Sequence, residues 1–156
     1  MRKASVLSVS VFAVLVLLSE VAMAWSSEMY LFSEVDGVVT SQGQPVAGAE
    51  VERIYHWGWK DVERKARTTT DQAGRFTFPQ VVESSFFGSF MPHEPLVSQR
   101  ILIRWQGEEY TAWKHTKHNY RKNGELGGRP IRINCPLENE PTLKEDVKVY
   151  GICTFD

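Results

Sequence analysis

With 156 residues, and 18 Lys and Arg set against 19 Asp and Glu, the chain has no surplus of charge with which to grip a polyanion. That excludes an electrostatic nucleic-acid binder, which needs a clustered basic face. The length suits a single domain that buries roughly two-thirds of its unfolded surface in one core.

The amino terminus reads as an export signal. Arg2 and Lys3 form a positive head, Val6 to Leu18 is apolar apart from Ser8 and Ser10, and Ala22-Met23-Ala24 is a small-x-small cleavage site. The apolar run is shorter than the ~20 residues that span a bilayer, and no basic stop-transfer cluster follows it. Residues 1–24 are therefore expected to be cleaved after Ala24. The mature domain, 25–156, is then periplasmic or secreted, without stable membrane insertion.

From Val35 onward the punctuation is that of short strands. Val35, Gly37 and Val39 share one face of the first run, and Ala49 and Val51 one face of the second. Phe76 and Phe78 share one face of a third, entered through Asp71-Gln72-Ala73-Gly74, where Asp suits the first position of a tight turn and Gly the exit. Glu50 to Trp57 and Val62 to Thr70 flank Gly58 as a hairpin. Lys60, Arg64, Lys65 and Arg67, interrupted by Asp61 and Glu63, read as a solvated edge or hairpin tip whose charges discourage edge-to-edge pairing. His56 sits among Tyr55, Trp57 and Trp59, an aromatic strand whose exposed side is a second choice for recognition.

An insertion follows from Val82 to Val97, with Phe86, Phe87, Phe90 and Met91 ahead of Pro92-His93-Glu94-Pro95. It reads either as a lid over one end of a sandwich or as a partner-binding surface. Gln99 to Trp105 and Glu108 to Lys114 form a hairpin about Gln106-Gly107, with Ile101, Ile103 and Trp105 on one face. A second insertion, Lys114 to Gly128, carries His115, His118, Asn119 and Tyr120. Arg129 to Cys135 then places Ile131 and Ile133 inward. Cys135 and Cys153 are the only cysteines, and in an oxidising compartment an even pair reads as a disulfide tying this strand to the tail. No segment shows helical periodicity. The expectation is an all-β, antiparallel sandwich of about seven strands with two long loop insertions.

The string from Gly37 through Gly43-Gln44-Pro45-Val46-Ala47-Gly48-Ala49-Glu50-Val51 to Thr70-Asp71-Gln72-Ala73-Gly74-Arg75-Phe76-Thr77-Phe78 resembles the carboxypeptidase regulatory-like domain. That resemblance implies a transthyretin-like (prealbumin-like) sandwich. Together with Phe90 to Pro95 and Thr116 to Tyr120, the layout is similar to a family of small exported bacterial proteins of unknown function. Enzymes of related fold have marks that are missing here. Transthyretin-like hydrolases close on Tyr-Arg-Gly-Ser, where this chain has Cys153-Thr154-Phe155-Asp156. Intradiol dioxygenases use a His-x-His pair among their iron ligands, and metallocarboxypeptidases need a separate catalytic domain.

The functional expectation is a non-enzymatic binding module for a protein or cell-envelope component, with no cofactor and no bound metal. Phe86, Phe87, Phe90, His93, His118 and Tyr120 are the candidate partner-binding residues. The first alternative is a periplasmic immunity-type inhibitor of a delivered toxin. A metal-dependent hydrolase using the His115/His118 loop ranks last, because two histidines alone do not complete a zinc site.

Overall fold

The computed structural model describes residues 27–85 and 91–155. The expected signal, 1–24, and Phe86, Phe87 and Phe90 lie outside the described residues. Thirteen strands and no helix occur among the described residues: β1 (Ser27–Phe32), β2 (Val35–Ser41), β3 (Gln44–Pro45), β4 (Glu50–Trp57), β5 (Val62–Thr69), β6 (Arg75–Phe78), β7 (Val81–Ser85), β8 (Val97–Trp105), β9 (Glu108–Lys117), β10 (Ile131–Pro136), β11 (Thr142–Lys144), β12 (Val149–Gly151) and β13 (Thr154–Phe155). The chain divides into two compact units, Met1–Glu28 with Ser84–Pro92, and Met29–Glu83 with His93–Asp156. In the first, Ser27 and Glu28 open β1, Ser84 and Ser85 close β7, and Met91 and Pro92 follow the undescribed residues.

The second unit is the sandwich. One sheet has the order β11-β12-β9-β8-β4-β5, and the other runs β13-β10-β2-β3 with β6 also paired to β2. β1 and β7 form a separate pair. The long strands of the two larger sheets, β2, β4, β5, β6, β8, β9 and β10, are the seven that the spacing of turn signals predicts. Most pairs are antiparallel. Within the two larger sheets the exception is β2 with β10, parallel in register from Ile131 opposite Val35 to Pro136 opposite Thr40. Residues far apart in sequence can pair this way because a long connection, here most of the domain, carries the chain back to the same end.

Alternation builds the core. Val35, Val39, Ala49, Val51, Phe76, Phe78, Ile101, Ile103, Ile131 and Ile133 are all buried in one cluster shared by the two sheets, each large side chain contributing about 1.5–3 kcal/mol by leaving water. The Phe76 ring lies over Gly37, where a Cβ would stand only 2.2 Å from it. The β6 turn has the expected chemistry: Asp71 Oδ1 accepts from Ala73 N and Arg75 N at 2.8 Å each. Gly74 adopts φ +71 there, with a would-be Cβ 2.4 Å from the Val39 carbonyl.

Arg53 faces inward and is buried. Its guanidinium lies over the Phe32 and Phe78 rings at 5.4 and 4.9 Å and donates to the Pro79 carbonyl, so cation–π contact replaces a carboxylate partner. On the opposite face of β4, Glu52 is covered by Arg67 (2.6 Å) and Arg104 (3.3 Å). β5 is an edge strand, and its exposed Lys65 and Arg67 carry the charge that a sheet edge needs.

Three expectations are corrected. β9 continues to Lys117, so His115 belongs to the strand and the second insertion begins at His118. A bulge sets this up: Ile101 faces Trp113 while Leu102 faces Thr111, so Ala112 and Trp113 both point inward and the phase beyond them turns His115 and Lys117 toward the core. Val82 to Ser85 is strand β7 rather than loop. Finally, Tyr55 and Trp57 are buried, because they share with Val51 the face of β4 that turns to the core, and they cannot form an exposed recognition face. Cys135 and Cys153 form the expected disulfide. Among the described residues no helix is long and apolar enough to cross a membrane.

Candidate functional site

The β4–β5 turn, the segment before β8 and the segment after β9 converge within the sandwich unit. Gly58 N donates to the Leu96 carbonyl at 2.9 Å, and Tyr30 N to the Tyr120 carbonyl at 3.0 Å, which fixes the backbones that carry Trp59, His93 and Tyr120. The His93 ring stacks on Trp59 with centroids 4.2 Å apart and planes 11° apart. Trp57 Nε1 donates to the Tyr120 hydroxyl at 2.9 Å, and His93 Nε2 lies 3.0 Å from the same oxygen. An indole N–H only donates, so the Tyr120 oxygen accepts from Trp57, and His93 Nε2 shares a second hydrogen bond with the same hydroxyl. Burial raises the Tyr120 phenol above its ordinary pKa, and the Trp57 bond offsets part of that rise.

Trp59, His93 and Tyr120 are half-buried, and charged groups rim them. Lys60 Nζ stands 4.7 Å from the Trp57 ring centroid and 5.8 Å from that of Trp59. His118 Nδ1 lies 3.7 Å from Glu94 Oε1, with both side chains exposed, so screening by water leaves this pair little energy. The structure thus joins His93 and Tyr120 directly and brings His118 to the same rim. Trp59, from the aromatic strand considered separately in the sequence, completes the patch.

His115 points elsewhere. Its Nδ1 donates to the Lys148 carbonyl at 3.1 Å, leaving Nε2 as an acceptor. Burial holds its imidazolium pKa below the ordinary value, with the Lys148 carbonyl opposing. An open cleft of about 530 Å³ borders His115, His118, Asp146 and Lys148. Among the described residues, no three of His, Cys, Asp and Glu gather at metal-binding range.

Beneath the second insertion lies a group that periodicity did not reveal. Lys117 and Glu125 side chains are both 0% exposed, with Nζ 3.0 Å from Oε2. Glu125 Oε1 accepts from Ser33 N (3.0 Å) and Gln99 Nε2 (2.9 Å), and Oε2 accepts from Ser33 Oγ (2.7 Å). Asn123 N donates to Ser33 Oγ, which ties the insertion down at a second point. Burial lowers the Lys117 ammonium pKa. Burial would raise that of Glu125, but the Lys117 charge, Gln99 and Ser33 together bring it below the carboxylate range. The phase of Trp113, His115 and Lys117 is the signal that pointed inward, yet a lysine in a strand reads first as solvent-facing.

The fold and this site define an all-β domain of the β-sandwich kind, stapled by one disulfide and carrying an aromatic patch at a loop-bearing end. Its residues 35–140 match the domain of unknown function DUF6795, and the chain belongs to that family. No curated protein and no solved structure matches the chain.

Proposed function

We propose that this chain is an exported, non-enzymatic binding module that engages a protein or cell-envelope component in the periplasm or outside the cell. Its scaffold on this reading is a carboxypeptidase regulatory-like, transthyretin-like sandwich. The Cys135–Cys153 bond supports an oxidising compartment. The observation that carries the binding role is the patch of Trp59, His93 and Tyr120 rimmed by Lys60, Glu94 and His118. Aromatic groups at the centre and charges at the rim are the anatomy of a recognition surface, and His93 stacking and the Tyr120 hydrogen bonds hold it in shape before a partner arrives.

The test is capture of partners from envelope extract, followed by affinity and melting measurements on Trp59→Ala and His118→Ala, with Phe87→Ala and Phe90→Ala as a second arm. An anchor cut to Ala should weaken binding at least tenfold, about 1.4 kcal/mol, in protein that still melts cooperatively. Variants that lose stability while their folded fraction binds normally would overturn the patch as the docking surface. Capture of a delivered toxin, with loss of its action, would instead make the module an immunity-type inhibitor.

A further inference from the structure

We propose that Lys117 and Glu125 are a self-modification site, at which the lysine amine and the glutamate carboxyl condense to an intramolecular amide that cross-links the end of β9 to the insertion carrying His118 and Tyr120. The reacting groups are already gathered. Nζ is 3.0 Å from Oε2, both side chains are fully buried, and Nζ makes no directed hydrogen bond. Two groups held this way react as if at very high concentration, since the cost of bringing them together is met by folding.

The surroundings of Glu125 divide its two oxygens into different roles. Oε1 receives Ser33 N and Gln99 Nε2, two fixed donors aimed where negative charge would grow as Nζ adds to Cδ. Oε2 faces Lys117 and receives the Ser33 hydroxyl, a group placed to pass a proton to a departing oxygen. Burial lowers the Lys117 pKa and so favours the amine that must attack, while Lys117, Gln99 and Ser33 hold Glu125 as the carboxylate, so the acid forms only as the proton crosses the 3.0 Å contact.

The step balances within the chain. A proton passes from the Lys117 ammonium to Oε2, and the freed lone pair on Nζ forms a bond to Cδ. Oε1 holds the charge of the tetrahedral intermediate. The Cδ–Oε2 bond then breaks as Oε2 takes a second proton from Nζ through the Ser33 hydroxyl, and water leaves. Ammonium and carboxylate become one amide and one water; no oxidant, reductant or further reactant enters. Replacing two buried charges by a neutral amide removes their desolvation penalty.

Mass spectrometry of the purified wild-type protein, reduced and digested with trypsin, tests this directly. The proposal requires that, after cleavage at Arg121 and Lys122, the peptide holding Lys117 remains joined to the peptide holding Glu125, and that the joined species is lighter by one water than their sum. Lys117→Met must abolish the joined species. Ser33→Ala, which keeps both reacting groups, should slow its appearance in freshly refolded protein at least tenfold. Separate peptides of full mass in the wild type, with trypsin cutting after Lys117, would overturn the proposal and leave a buried ion pair only.

Discussion

Trp57 and Tyr120, 63 residues apart in the chain, meet through a 2.9 Å hydrogen bond from indole N–H to phenol oxygen. Trp57 comes from β4, inside its sheet, and Tyr120 from the loop after β9, so the contact ties that loop to the framework. Because Trp57 is buried, its N–H has no water to turn to when the hydroxyl is removed.

Tyr120→Phe should therefore destabilise the domain by about 1–3 kcal/mol, the cost of stranding a buried donor, while keeping the ring contacts. Urea denaturation followed by tryptophan fluorescence measures it. A variant as stable as the wild type would show that the hydroxyl contributes nothing to holding the insertion.

Reduction of Cys135–Cys153, whose partners lie 18 residues apart, should lower stability by about 3 kcal/mol in the loop-entropy description. The double Cys→Ser variant should match the reduced protein. Alkylation of the native protein followed by intact-mass measurement should find no free thiol, and the melting temperature should fall only after reduction.

Acid should weaken the domain partly through Glu52. The hydrogen bond from Arg67, aided by Arg104, holds its carboxyl below the ordinary range although burial acts the other way. A carboxyl with a depressed folded value stabilises the protein above the unfolded value, about 4.3, and that contribution disappears as pH falls through the folded value. Glu52→Gln should thus be less stable than wild type at about pH 7, and the gap should narrow at about pH 3. Denaturant midpoints at the two pH values decide it; an unchanged gap would remove Glu52 from the acid response.

Much of the framework was legible because local rules govern it. Period-2 burial placed Val35, Val39, Phe76, Phe78, Ile101 and Ile103 correctly, and the Asp71–Gly74 turn and the hairpin about Gln106-Gly107 followed from Gly74 and Gly107, which take positive-φ shapes that few other residues accept. The even cysteine count was enough for the disulfide. The hairpin arm expected to end at Lys114 runs on to Lys117, and a bulge at Ala112 sets which of its residues point inward; a one-residue irregularity leaves no mark in composition, so the buried position of Lys117 was not legible in the sequence.

Which residues would face inward or outward along a regular strand, where the turns fall, and that the domain is all-β are properties of neighbours in the chain, so the sequence by itself determined them. Tertiary structure alone decided that Trp59 would stack on His93, that Tyr120 would bond to Trp57, and that Lys117 would meet Glu125, Ser33 and Gln99 out of reach of water. Those contacts join residues whose separation in sequence carries no preferred geometry. They exist because two sheets closing on one core must also close the ends of the sandwich, and most polar groups trapped there are held by partners that only the closed fold brings near.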